Sequence, residues 1–82
     1  MKIYKFTSET CGPCKMVAGL IDQYPNVTEF NSTFDPFEFK KYKVSSVPTV
    51  IILKDEEEII RFVGVGAGQN QINKQNLDKC RL

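Results

Sequence analysis

Two cysteines, Cys11 and Cys14, are separated by only two residues. Of all the residues in this chain, this pair most directly indicates a chemical function, the formation and breaking of a disulfide bond. If a helix begins here, residues three positions apart lie on one helix face. Their Cα atoms are then about 5.5 Å apart, the separation that a disulfide bond favours. A loop of four residues gives only about 2 kcal/mol of stability in the chain-entropy model, against about 3 kcal/mol for fifteen residues. We therefore interpret the pair as a bond that opens and closes during function.

A close cysteine pair can also be a structural disulfide or half of a zinc site. The chain has no histidine, which is the commonest metal ligand, and it has no second pair of ligands. The sequence therefore predicts no metal site. The third cysteine, Cys80, is interpreted as a half-buried residue of the last helix, with a regulatory or intermolecular thiol as the alternative.

Length and charge limit the other classes of function. Eighty-two residues suffice for one hydrophobic core, so a single domain over 1–82 is expected. The net charge is +1 with acids and bases mixed, which indicates neither a nucleic-acid-binding nor a membrane-binding surface. No apolar signal segment precedes the first strand, and no stretch reaches the roughly 20 apolar residues of a membrane span. We expect a cytoplasmic monomer. In the reducing cytosol a close cysteine pair is more often catalytic or metal-binding than structural.

The hydrophobic pattern predicts seven elements that position the pair. Strands are predicted over 2–6, 27–31, 49–53 and 59–63, and helices over 12–24, from Asp35-Pro36 to about 43, and over about 69–79. Phe34, Phe37 and Tyr42 are expected to pack inward, and residues 55–58 to form a solvated turn. The order βαβαββα predicts an α/β fold with a central mixed four-stranded sheet and helices on both faces.

The chain resembles the thioredoxin family at two separate places. Cys11-Gly12-Pro13-Cys14 follows the first predicted strand, and Ser46-Val47-Pro48-Thr49 directly precedes the third. With the similar runs 47–54 and 62–64, the resemblance extends over most of the chain. It implies a minimal thioredoxin-like fold and a disulfide reductase, in which Cys11 is the nucleophile and Cys14 the resolving thiol. It also implies a cis peptide bond before Pro48, facing the cysteine pair.

The resemblance further implies which residues meet the substrate. Thr10, Gly12, Pro13, Val47 and Pro48 are expected to bind it, with the Val47 backbone pairing with an extended peptide. Thr10 stands where the family usually has tryptophan. This difference predicts a smaller, less apolar docking surface and a narrower range of protein substrates.

Lys5 and Glu29 depart from the family pattern. Lys5 stands where the family has a buried acid, and counting back from Pro48 places Glu29 at the family's buried lysine. One interpretation is a buried Lys5–Glu29 pair of reversed polarity, which tunes the proton leaving Cys14. Removing Glu29 would then cost about 3–5 kcal/mol. The other interpretation is that the Lys5 amine points to water.

The resemblance implies no bound cofactor, because the redox group is the Cys11–Cys14 disulfide itself. Electrons would come from NADPH through a flavin-containing thioredoxin reductase, and the substrates would be disulfide-containing proteins. One alternative is a glutaredoxin-like donor that uses glutathione, although the late glycines lead to Gln69 and Asn70 instead of an acid that binds glutathione. The other alternative is a thioredoxin-fold binding subunit without redox turnover, a role that needs no intact pair.

Overall fold

The computed structural model describes residues 2–66 and 68–79. Its elements follow the predicted order: β1 (Lys2–Thr7), α1 (Pro13–Ile21), β2 (Val27–Asn31), α2 (Pro36–Lys41), β3 (Thr49–Lys54), β4 (Glu57–Val63) and α3 (Lys74–Lys79). The strands form one sheet in the order β2-β1-β3-β4. The β1–β2 pair is parallel, whereas β1–β3 and β3–β4 are antiparallel. The predicted α/β fold with a mixed four-stranded sheet is confirmed.

Each face of the sheet has its own cluster of buried apolar side chains. One face packs against α1 and α3 through Ile3, Val17, Ile21, Ile52 and Leu77. The opposite face packs against α2 through Phe6, Ile51, Leu53 and Phe39. Because β3 contributes to both clusters, it is apolar along almost its whole length, as expected for a strand covered on both faces. Helices therefore lie on both faces, as predicted.

All three helices are shorter than their predicted ranges. α1 ends at Ile21 instead of continuing to residue 24. α2 ends at Lys41, because Lys43 takes the left-handed conformation with φ 54°. The predicted start of α3 at residue 69 is wrong, since the Ile72 N–H is bonded to the Gly64 carbonyl (2.8 Å) and helix begins only at Lys74.

The hairpin between β3 and β4 is tighter than the predicted turn over 55–58. Only Asp55 and Glu56 form the turn, with φ 53° and 67°. Glu57 and Glu58 belong to β4, where they pair with Lys54 and Leu53. A two-residue turn with both central residues left-handed matches the right-handed twist of the strands.

The prediction that Phe34 and Phe37 pack inward is wrong. These two residues are 74% and 71% exposed. The inward stripe consists of Phe39 and Tyr42, three positions apart, which pack on Phe6. Phe37 is two positions from Phe39 and so points away from that stripe, while Phe34 precedes the helix. The inward packing of Tyr42 is confirmed.

Candidate active site

One edge of the sheet brings the two sequence motifs together. β1 ends at Thr7 and β2 at Asn31, and these residues are neighbours in the parallel pair. β3 runs antiparallel to β1 and therefore begins on the same edge, at Thr49. The loop 8–12 and the residues 47–48 both leave the sheet there. The cysteine pair and the proline motif thus share one end of the molecule.

Cys11 and Cys14 form a disulfide with Cα atoms 5.4 Å apart, as their spacing predicts. Cys11 precedes α1 and is partly exposed, whereas Cys14 lies in the first turn and is buried. The Cys14 N–H donates a hydrogen bond to the Cys11 Sγ at 3.2 Å. This N–H is one of the groups that a helix start leaves without an intrahelical partner. The bond and the positive end of the helix both favour negative charge on the Cys11 sulfur.

The approach to the Cys11 sulfur is open on its loop. Thr10, Gly12 and Pro13 are exposed. Pro13 occupies the first turn of α1, where its missing N–H removes no helix bond. A Cβ atom at Gly12 would have no neighbour within 4 Å. The loop side of Cys11 is therefore bordered by exposed residues and by open space at Gly12.

The Val47–Pro48 peptide bond is cis. Pro48 is fully buried, and its carbonyl accepts a hydrogen bond from the Gly64 N–H at 2.8 Å. The Thr49 hydroxyl donates to the Ser46 carbonyl at 2.7 Å, which closes the turn. No backbone hydrogen bond reaches Val47 from residues 2–66 or 68–79.

A shallow groove of about 230 Å³ lies beside the disulfide. Its lining includes Cys11, Cys14, Ser8, Glu9, Glu29 and Asn31. The sequence prediction did not name Ser8, Glu9 and Asn31. They could have been found from the rule that the carboxyl ends of adjacent parallel strands meet at one sheet edge.

Lys5 lies on the sheet face that packs on α1 and is buried, with 4% of its surface exposed. Its Nζ lies 3.1 Å from Asp22 Oδ1 and 3.2 Å from Glu29 Oε1. The interpretation that its amine points to water is therefore wrong. The predicted pair with Glu29 exists, but the Glu29 side chain is 56% exposed and is not buried. Asp22 was missed, because nothing in its spacing relates the end of α1 to β1.

The pKa of Lys5 results from opposing effects. Burial lowers the pKa, because it disfavours the charged amine. The hydrogen bonds and charges of Asp22 and Glu29 outweigh this effect and raise the pKa of Lys5 above its ordinary value of 10.5. A protonated Lys5 therefore holds Glu29, whose side chain lines the same groove as Cys14.

Two further observations concern the whole described chain. No three histidine, cysteine, aspartate or glutamate side chains are grouped to hold a metal ion in the part that the structure describes. None of the helices described has the length and apolar character to cross a bilayer. Cys80 lies outside the described residues, so its predicted half-burial stays a prediction.

Known proteins share both the sequence pattern and the fold of this chain. The family model for thioredoxin matches residues 1–77. A thioredoxin of Chlamydia trachomatis is 39% identical over 66 residues, which cover 73% of this chain and 65% of that protein. A thioredoxin of Staphylococcus epidermidis is 30% identical over 77 residues, which cover 85% and 74%.

The solved structure of thioredoxin 1 from the thermophilic eubacterium Thermosipho africanus has a similar fold. Its TM-score is 0.66 at 31% identity, over 82% of this chain and 81% of that one. The matched region includes both cysteines, which the geometry above places within disulfide-forming distance. The chain therefore belongs to the thioredoxin family, and with its intact Cys11–Cys14 pair it is a thiol–disulfide oxidoreductase of the protein disulfide reductase type.

Proposed function

We propose that Cys11 is the nucleophile and Cys14 the resolving thiol in the reduction of disulfide bonds in other proteins. The observation that carries this assignment is the difference between the two sulfurs. Cys11 is the more exposed residue and accepts the Cys14 N–H, while Cys14 is buried in the first turn of α1. A thiolate is favoured at the first position, and a protected thiol at the second.

The exchange proceeds in two steps that balance in electrons and protons. The Cys11 thiolate attacks one sulfur of the substrate disulfide, that bond breaks, and the released substrate thiolate takes up a proton. Cys14 then loses its proton and attacks the Cys11 sulfur, which releases the second substrate thiol. Two electrons pass to the substrate, one proton comes from Cys14 and one from water, and the Cys11–Cys14 disulfide is left.

The residues around the pair form the proposed substrate site. Thr10, Gly12 and Pro13 are exposed next to Cys11, so a polypeptide can approach without rearrangement. The Val47 backbone, which accepts or donates no backbone hydrogen bond among residues 2–66 and 68–79, lies beside the buried Pro48 and is suited to pair with an extended segment of the substrate. Thr10 offers little apolar area, which supports a narrower range of protein substrates.

Lys5 and Glu29 are proposed as positioning residues for the second step. The protonated Lys5 amine holds the Glu29 carboxylate beside the groove that reaches Cys14. A carboxylate placed there disfavours premature ionisation of Cys14 and can receive its proton through water. Glu29→Gln should therefore shift the pH profile of disulfide reduction, and an unchanged profile would refute the role.

The proposed electron source is NADPH, through a flavin-containing thioredoxin reductase in the cytoplasm. Glutathione is the competing source, and a coupled assay distinguishes the two. Purified protein is given insulin as substrate, with NADPH plus either a thioredoxin reductase or glutathione and glutathione reductase. We expect NADPH consumption with the first system, and consumption only with the second would reverse the proposal.

A trapping experiment tests the assignment of the two cysteines. The Cys14→Ser variant should hold substrate proteins as mixed disulfides through Cys11, and mass spectrometry of the trapped species identifies them. The Cys11→Ser variant is the matched control and should trap nothing above background. Equal trapping by both variants would contradict the order of attack. Binding that survives Cys11→Ala, with no reduction by the wild-type protein, would instead indicate a binding subunit.

A further inference from the structure

Two phenylalanines, one in the loop after β2 and one in the first turn of α2, are largely exposed. Phe34 and Phe37 leave 74% and 71% of their surface in contact with water. Neither ring takes part in the aromatic contacts of the α2 face, which involve Phe6, Phe39 and Tyr42. Single exposed apolar residues need no explanation, but two large aromatic residues only three positions apart are the kind of feature that marks a contact surface.

The loop that carries Phe34 starts next to the loop that carries Cys11. Thr7 and Asn31 are paired at the ends of β1 and β2. The Ser32 N–H donates to the Thr7 carbonyl at 3.0 Å, so the loop 32–35 departs from the same point as the loop 8–12. Asn31 itself lines the groove beside the disulfide. The loop 32–35 and the loop that carries Cys11 therefore leave the same end of the sheet, with Asn31 shared between that loop's start and the groove.

Hydrogen bonds fix the backbone on which Phe34 is presented. The Asp35 carboxylate accepts the Asn31 N–H at 2.9 Å, and the Asp35 N–H donates to the Asn31 carbonyl at 2.7 Å. The Asn31 side-chain oxygen also accepts the Thr33 N–H at 2.8 Å. A loop already closed in this way loses little conformational freedom when a partner covers it, which favours binding.

From these contacts we infer that Phe34 and Phe37 form a docking surface for protein substrates, one that binds an apolar segment flanking the substrate disulfide. This rests on the proposed function, since the partner is the protein whose disulfide Cys11 attacks. The surface adds affinity for polypeptides and takes no part in the sulfur chemistry. A small disulfide, which is too short to reach both Cys11 and the rings, gains nothing from it.

The test compares a large and a small substrate on the Phe34→Ser/Phe37→Ser double variant. Insulin and hydroxyethyl disulfide are reduced with dithiothreitol as the recycling agent, so no reductase enters the assay. We expect kcat/KM for insulin to fall at least about tenfold, mainly through KM, and the rate with hydroxyethyl disulfide to stay within about twofold. A Phe34→Leu/Phe37→Leu variant should recover most of the insulin activity.

Ile59→Ser is the matched control, because Ile59 is 53% exposed on β4, the outer strand on the opposite side of the sheet from β2. The inference is overturned if the double variant loses no more insulin activity than this control, or if both substrates lose activity equally. A wild-type chain of dimeric mass that becomes monomeric in the double variant would show that a second copy occupies the surface, which also overturns it. No turnover of either disulfide by wild type would instead refute the proposed function.

Discussion

The two active-site sulfurs differ in accessibility although they lie one turn apart. Cys14 is 6% exposed, while Cys11 is partly open to solvent and accepts a backbone N–H. After reduction, we expect iodoacetamide near pH 7 to alkylate Cys11 at least about ten times faster than Cys14, because the thiolate is the reacting species. Peptide mapping of the labelled protein measures both rates. Equal rates, or faster labelling of Cys14, would contradict the proposed roles.

Lys5 shows how a second partner changes the energetics of a buried charge. For a buried pair of Lys5 with Glu29 alone, removal of Glu29 would cost about 3–5 kcal/mol. Because Asp22 also pairs with the amine, we expect Glu29→Gln or Asp22→Asn alone to cost under about 1 kcal/mol. The double variant should cost about 3–5 kcal/mol, since it leaves the buried amine unpaired. Urea unfolding measures all three, and additive single effects would exclude this shared role.

The raised pKa of Lys5 gives its contribution to stability a defined pH dependence. A group whose pKa is higher in the folded state stabilises fully below its unfolded pKa, here 10.5, and loses that contribution as pH rises through the folded value. The unfolding free energy of wild type minus that of Lys5→Met should therefore be constant from pH 7 to about 9.5. Above pH 10.5 this difference should decrease, because wild type loses stability that the variant does not have. Urea titrations of both proteins measure it, and tyrosine ionisation cancels in the difference. A change centred near neutral pH would contradict the ion-pair assignment.

Among the elements, the β3–β4 hairpin contains the clearest local strain. Glu56 is left-handed at φ 67°, a conformation that costs an ordinary residue roughly 1–2 kcal/mol. Glycine avoids this cost, but it loses more conformational entropy on folding, which costs about 0.5–1 kcal/mol. We expect Glu56→Gly to raise the unfolding free energy by up to about 1 kcal/mol, as measured by urea denaturation. Glu57→Gly, in β4 itself, is the control and should destabilise.

The elements also show how far the sequence could predict the structure. The strands were predictable because their apolar runs and the turns between them are local signals. The two motifs, at Cys11 and at Pro48, indicated the fold in which these strands are arranged. The side on which Phe37 emerges was not predictable, because it depends on which stripe of a six-residue helix meets the sheet. The contact of Asp22 with Lys5 joins two residues that are 17 positions apart in the sequence. The hydrophobic periodicity of the sequence does not predict this contact.

For the whole molecule, stability rests on two separate clusters, one on each face of the sheet. Phe6 is completely buried in the α2-facing cluster, with the rings of Phe30 and Phe39 both centred 5.1 Å from its own. We expect Phe6→Ala to cost about 3–5 kcal/mol, a large part of the 5–15 kcal/mol that typical domains have. Urea midpoints test this, with Ile59→Ala as the surface control at under about 0.5 kcal/mol. A loss below 1 kcal/mol for Phe6→Ala would mean that this cluster is not a core.

The position of β1 in the sheet has a consequence for the nascent chain on the ribosome. β1 is synthesised before the other three strands, yet it is an inner strand, with β2 on one side and β3 on the other. Lys2 pairs with Leu53 and Phe6 with Thr49, so half of its backbone partners emerge only after α2 has been made. Until then the growing chain has one open inner strand edge, which can pair with other chains. Because β3 supplies both the missing edge and residues of both clusters, its release from the exit tunnel is the step at which the sheet can close.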